Sequence, residues 1–412
     1  MHTTSNESPL RLALRERNYR WFSGGMVSFT LAQSMIRFLL PWLAYDMTGS
    51  TLALGLVGLA LAAPNVLLAP FGGVWSDRLD RAALVRFTQT TVTALIATFA
   101  LLVLAGTLQL WYLVLFAFAI GSVTAFDQPA RQALIPALVP IAALTTALAL
   151  NQMTWSLAGI VGPATAGALL AVTIPLGLGP GPIFVLTAAG SAAMVFATLQ
   201  IRIPRARDRA ARRPWSVEFL EGARFIVADP AARGLTFISF SGSILGSSYL
   251  FLMPAFAREI YGVDTTGLGL LVASSGVGAL LGSIALALFG ARMRRGRVAL
   301  ASSLGFGLAV IAFSLSRSLP IGLAILLVAG AINAVSFTTA QTLLQVSVPD
   351  RIRGRVMGIY ALTFSLSTLG AAISGALAAL VGPSAAVLTG GALVLVAAAS
   401  VAVLSPTIRE LA

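Results

Sequence analysis

Two acids and two arginines crowd the short segment Gly73-Val74-Trp75-Ser76-Asp77-Arg78-Leu79-Asp80-Arg81, which separates two long apolar runs. A carboxylate at a helix end accepts from the unpaired N–H groups of a neighbouring helix N-terminus and is favoured by its dipole, so Asp77 has the chemistry of a docking contact. Pro349-Asp350-Arg351-Ile352-Arg353-Gly354-Arg355 opens a later apolar run and offers such a helix start. Charge placed in a tight turn between membrane helices is costly, which points to a moving part. Catalysis has little to work with elsewhere. The chain has no cysteine, and its one histidine, His2, lies in a terminus expected to fray. No nucleophile stands with a base and no ligand set with metal spacing is present, so no catalytic residue, metal or cofactor is expected.

The elements that position these residues follow from composition. The 412 residues are 58% hydrophobic and 10% charged, with a mean hydropathy of +0.91, a balance that places the chain in a lipid bilayer. A spanning helix needs about 20 mostly apolar residues. Such runs occur near 20–46, 51–76, 82–106, 109–132, 141–173, 180–202, 233–257, 266–291, 297–316, 319–346, 354–381 and 384–405, twelve in all. The first is too long, and follows too polar a segment, to be a cleavable signal, so it is expected to remain as a span.

The net charge of +13 would suit nucleic acid if it formed a patch, but its distribution says otherwise. All 27 basic residues are arginine, and 24 of them fall in alternate segments counted from the N-terminus. The other side holds only Arg258 and Arg317, and Arg37 lies inside the first run. This is the positive-inside bias, which predicts both termini in the cytoplasm and argues against nucleic acid as a partner.

Offsetting the chain against itself by a little over 200 residues reveals a repeat. Phe38-Leu39-Leu40-Pro41 pairs with Phe251-Leu252-Met253-Pro254, Asp46 with Glu259, Gly49 with Gly262, and Arg78 and Arg81 with Arg292 and Arg295. Gly162-x4-Gly167 likewise pairs with Gly370-x4-Gly375. Six spans per half bring both halves in from the same side, a parallel repeat. The expected organisation is a cytoplasmic N-terminus (1–19), a six-helix bundle (20–202), a linker (203–232), a second six-helix bundle (233–405) and a cytoplasmic C-terminus (406–412). In the linker, Trp215, Phe219, Leu220, Ala223, Ile226 and Val227 recur at helical spacing opposite Glu218, Glu221 and Arg224, which predicts an amphipathic helix on the cytoplasmic face, a strut between the halves.

Arg37 is the one charge well inside a span, and the repeat sets Leu250 opposite it. A guanidinium there needs a partner, a wet cavity or a route to the interface, and the asymmetry favours a cavity-lining role in contact with substrate or water. Asp46 is the available candidate for proton coupling, but its twin Glu259 marks both as residues at helix ends.

Over essentially its whole length the chain resembles a major facilitator superfamily transporter. Gly73-x3-Asp77-Arg78-x2-Arg81 resembles that superfamily's motif A, although Asp80 stands where the pattern has glycine and Ala82 where it has a second basic residue. The resemblance implies a latch of Gly73, Asp77, Arg78 and Arg81 that holds the cytoplasmic side shut. Asp127 resembles the acidic partner of the later arginine, while Arg131, one turn on, offers it a local alternative. Gly159-Ile-Val-Gly162-Pro163-Ala-Thr-Ala-Gly167 resembles motif C, tied in the superfamily to exporters that work as antiporters, with ordinary close packing as the alternative. On helices that line the cavity in this family stand Gln33, Ser34, Asn65, Asn151, Gln152, Trp155, Asn333, Gln341, Tyr360 and Ser365, from which several contacts to a substrate are expected.

A cavity that is apolar and aromatic with few charges suits amphipathic or hydrophobic solutes. Arg17-Asn-Tyr-Arg20, Thr48-Gly-Ser50, Phe126-Asp-Gln-Pro-Ala-Arg131 and Arg353-Gly-Arg-Val356 resemble the branch with enterobactin-type siderophore exporters and macrolide efflux proteins. The expectation is a monomeric secondary exporter of the inner membrane, alternating access by rocking and drawing on a proton gradient. An importer of a small nutrient is the nearest alternative. A membrane-embedded enzyme or a sensory protein is disfavoured, the second because no segment outside the spans is large enough for an output domain.

Overall fold

The computed structural model describes residues 9–78, 80–201, 215–246, 249–290, 293–360 and 362–410, and the regular structure among them is helical throughout. The long helices are α1 (Arg17–Thr48), α2 (Thr51–Arg78), α3 (Arg81–Leu104), α4 (Leu110–Leu134), α5 (Ile141–Thr173) and α6 (Gly181–Gln200). After the linker helix (Trp215–Ala228) come α7 (Pro230–Ile260), α8 (Thr265–Phe289), α9 (Arg295–Leu315) and α10 (Leu319–Ser347). Then α11 (Asp350–Tyr360 and Leu362–Val381) and α12 (Pro383–Leu404) complete the series. Eleven of the described helices are long and apolar enough to cross a bilayer, and Leu366–Val381 in α11 is a shorter apolar helix, in keeping with twelve spans.

Local chemistry sets the helix ends. Asp80 caps α3 by accepting from the backbone N–H groups of Ala82 (2.9 Å) and Ala83 (3.3 Å), Asp229 caps α7 through Ala232 (2.7 Å), and Asp264 caps α8 through Gly267 (3.0 Å). The glycines paired by the repeat, Gly49 after α1 and Gly262 after α7, share a left-handed conformation with φ of 61° and 62°. Helix α7 departs from α1 in one respect. Gly242–Gly246 and Phe256–Ile260 are π-helical, each a wider turn inside the span.

The contacts gather into two compact units, Met1–Leu39 with Leu67–Ala210 and Leu40–Val66 with Ala211–Ala412. In the first, the core is aromatic where α3, α4 and α6 meet: Phe99 stacks on Phe116 (4.2 Å between centroids) and meets Phe184 edge-on (5.1 Å). Tyr19 at the start of α1 donates to the carbonyl of Ala147 in α5 at 3.2 Å.

In the second unit, α8 and α10 approach so closely at Gly278, Gly282 and Gly330 that any side chain there would meet facing carbonyl oxygens. Small residues permit that approach where lipid supplies no hydrophobic drive. The early part of α2 also belongs here. A Cβ at Gly375 of α11 would lie 2.6 Å from the Gly55 Cα, and one at Gly58 would lie 2.6 Å from the Ala371 Cβ. Nearby in the same unit, the Tyr45 hydroxyl at the end of α1 donates to the Glu259 carboxylate of α7.

The linker helix forms where the periodicity predicts it. Gly222 would place a Cβ 3.1 Å from the Arg355 backbone, Glu221 pairs with Arg355 at 2.5 Å, and Ile226 joins the cluster of Ile352, Val356, Ile359 and Tyr360. Leu220 and Val227, assigned by spacing to the apolar face, are exposed. The helix therefore buries only part of its apolar surface against α11.

Candidate functional site

Among the eleven described helices long and apolar enough to span, α1 is the most enclosed, with 78% of its apolar stretch buried. From Ala32 to Tyr45 every residue is buried except Arg37. Met26, Thr30, Gln33 and Arg37 follow one another at steps of four, three and four, and so share one face of the helix. The first three are 2%, 0% and 5% exposed, so the face on which Arg37 opens is the one packed within the protein.

What Arg37 meets is aromatic. Its guanidinium carbon lies 5.9 Å from the centroid of Trp155 on α5. A second guanidinium, that of Arg131 on α4, lies 5.6 Å from the same ring and 4.8 Å from Phe29 on α1. Both are within reach of the ring quadrupole. Arg131 is buried and neutralised: its Nε donates to the Asp127 carboxylate at 2.5 Å. Asp127 is fully buried and also accepts from Thr88 Oγ1 (2.7 Å) and Gln89 Nε2 (2.9 Å) on α3. Three charge-assisted hydrogen bonds satisfy that carboxylate. Among the described side chains Arg37 enters no ion pair, and the Gln33 Nε2, buried one turn before it, has no acceptor.

The remaining candidates fall elsewhere. Asn151, one turn before Trp155 on α5, has a buried Oδ1 without a donor, while Gln152 is exposed. In the second unit, Asn65, Asn333 and Gln341 are half-buried, and Tyr360 is 1% exposed with its hydroxyl 3.0 Å from Ser239 Oγ and 3.4 Å from the Phe337 carbonyl. That hydroxyl ties α11 to α7 and α10. Asp46 is exposed at the end of α1. In the motif C-like segment, Gly162 packs against Ser34, where a Cβ would lie 2.6 Å from the serine Cβ; Pro163 and Gly167 are buried and Gly159 is open. The backbone of Gly73, Asp77 and Arg78 ends α2 and that of Arg81 begins α3. The side chains of Asp77, Arg78, Arg81 and Ser365 lie outside the described residues. A groove of about 580 Å³ between α7 and α12 holds none of the candidates.

Spacing alone did not disclose Phe29, Thr88 and Gln89. Thr88-Gln89, two adjacent polar residues inside an apolar run, was the available signal, since a buried amide in a span demands a partner. Asp80, read as a departure from motif A, has a structural task as the cap of α3.

The family described as transmembrane secretion effector matches residues 14–411. The enterobactin exporter EntS of Escherichia coli O1:K1 / APEC is 27% identical over 338 residues, covering 80% of this chain and 78% of that protein. The EntS of Shigella boydii serotype 18 (strain CDC 3083-94 / BS512) shows the same identity and coverage: 27%, 80% and 78%. Among solved structures, a bacterial homolog of the human lysosomal transporter Spinster superposes with a TM-score of 0.75 at 16% identity, covering 95% of this chain and 97% of that one. The nucleoside transporter NupG superposes at 0.72 with 15% identity, covering 94% and 99%. These two share the fold. The chain belongs to the transmembrane secretion effector family of the major facilitator superfamily: it is a multi-pass membrane transporter of a small molecule, and not an enzyme.

Proposed function

We propose that this transporter exports an amphipathic small molecule of the siderophore kind across the inner membrane, in exchange for protons. The observation that carries this reading is Arg37, the charge inside the first span, which opens on the packed face of α1 beside Trp155. Such a residue is expensive in a bilayer and is kept where a pathway needs it. The secretion family and the enterobactin exporters that the chain resembles favour the outward direction.

In this proposal both termini are cytoplasmic, because arginine crowds one side. Two six-helix halves, 20–202 and 233–405, rock about the central site, with Gly162-Pro163 as a pliable seam in α5. Gly73, Asp77, Arg78 and Arg81 latch the cytoplasmic side against the start of α11. Asp127 joins that latch only on leaving Arg131, its partner in this structure. Proton exchange rests on the likeness of Gly159–Gly167 to motif C, with Asp46 as the candidate carrier.

Counterflow in proteoliposomes with an imposed pH gradient tests the proposal. A siderophore-type solute is expected to move against its own gradient while the proton gradient lasts, and absence of flux for any amphipathic solute contradicts transport of this class. Asp77→Asn is expected to cut flux while the protein still inserts and elutes as a folded species. Wild-type flux in that variant removes the latch.

A further inference from the structure

We propose that Arg37, Trp155 and Gln33 form an anion subsite, so that the substrate carries an oxyanion on an aromatic or apolar body. This rests on the transport reading and adds the charge of the cargo.

Charge comes first. Two guanidinium groups lie 5.9 and 5.6 Å from the Trp155 ring centroid, and one carboxylate, Asp127, neutralises one of them. Arg131 with Asp127 is a closed pair. Arg37 leaves one positive charge uncompensated among the described residues, inside a span where an unpaired ion is strongly unfavourable. The remedy is an anion or water admitted to the site.

Donors come second. The Gln33 Nε2 is buried on a residue only 5% exposed, lacks an acceptor, and stands one turn from Arg37 on the same helix face. A guanidinium and an amide N–H together donate up to several hydrogen bonds and, with no carboxylate paired to them among the described residues, ask for acceptor oxygens. A planar guanidinium matches a carboxylate-like oxyanion in a two-point contact, which a neutral amide or an ammonium cannot reproduce.

The third element is the platform. Trp155 is half-buried and presents its ring to both cations, so an aromatic body that stacks on its exposed part lies beside the free guanidinium. The same arrangement disfavours organic cations. A ligand ammonium would compete with Arg37 and Arg131 for the ring and meet like charge.

The test is equilibrium binding to the purified full-length protein in nanodiscs, with three probes of one shape: 1-naphthoate, 1-naphthamide and 1-naphthylmethylamine. The naphthoate is expected to bind at least about tenfold more tightly than the amide, the scale of one charge-assisted contact. The amine is expected to be weakest. Arg37→Gln should bring naphthoate down to the affinity of the amide and leave the amide unchanged. Arg37→Lys should keep part of the preference, and Gln33→Leu should weaken naphthoate while leaving the protein's elution and melting unchanged.

Equal binding of the three probes, tighter binding of the amine, no binding of naphthoate, or an intact preference in Arg37→Gln each overturns the subsite. The wild-type series decides even where a variant is not recovered folded. Flux of neutral amphiphiles without anion preference would sink the subsite and leave export standing, whereas anion binding without flux would sink export and leave the subsite.

Discussion

Asp127 and Arg131 stand one turn apart on α4, and everything that makes the pair durable comes from other helices. Thr88 and Gln89 donate from α3, Phe29 covers the guanidinium from α1 and Trp155 covers it from α5. Removing one member of a buried, hydrogen-bonded pair strands the other charge, at a cost of about 3–5 kcal/mol. Asp127→Asn is therefore expected to lower the melting temperature of the purified protein by several degrees. Asp127→Leu combined with Arg131→Met should recover most of it, because no ion is then left unpaired. An unchanged melting temperature in the single variant contradicts the structural weight assigned to the pair. The 2.5 Å contact from Arg131 to Asp127 was legible as an i, i+4 spacing. The hydrogen bonds from Thr88 and Gln89, 39 and 38 residues away, were not, because one sequence does not give the register of α3 against α4. Arg37 was legible as an anomaly. Its neighbour Trp155 stood among the polar candidates, but only the fold joins the two.

At the scale of elements, close approach of backbones does what a hydrophobic core does in water. Gly55 and Gly58 of α2 meet Ala371 and Gly375 of α11, and the Tyr45–Glu259 hydrogen bond joins α1 to α7 in the same unit. Under the proposed topology this is the outer end of the spans. Gly375→Leu would force α2 and α11 apart where a Cβ has 2.6 Å to the Gly55 Cα, with a strain of about 1–3 kcal/mol. The expected result is reduced flux in proteoliposomes from a protein that still inserts. Gly375→Ala, with one methyl, should lie between it and the wild type, and full activity in the leucine variant would show that this contact is not part of the cycle. The spans were legible because a bilayer imposes length and hydropathy together. The Gly162 and Gly375 spacings were legible as small-residue seams, but their partners, Ser34 and Gly55, were not. The π-helical turns of α7 also escaped, since Phe256–Ile260 differs from an α-helix by hydrogen-bond register and not by composition. The linker helix was legible by its periodicity, whereas the exposure of Leu220 and Val227 was not, because spacing marks an apolar face without saying how much of it is covered.

At the scale of the whole molecule, hydropathy, arginine bias and repeat converge on one architecture, and the family could be anticipated because Gly73-x3-Asp77-Arg78-x2-Arg81 and Gly159–Gly167 resemble its motifs within that architecture. The twelve helices and the transporter fold follow from it. Direction and coupling do not, because they depend on free-energy differences between conformations that share one sequence. Uptake of a radiolabelled siderophore-type solute into inside-out membrane vesicles reads both at once, since export from the cell becomes accumulation in the vesicle. The account predicts accumulation that requires an acidic lumen, collapses on addition of a protonophore and falls in Arg37→Gln. Uptake confined to right-side-out vesicles, or indifferent to the pH gradient, would contradict it.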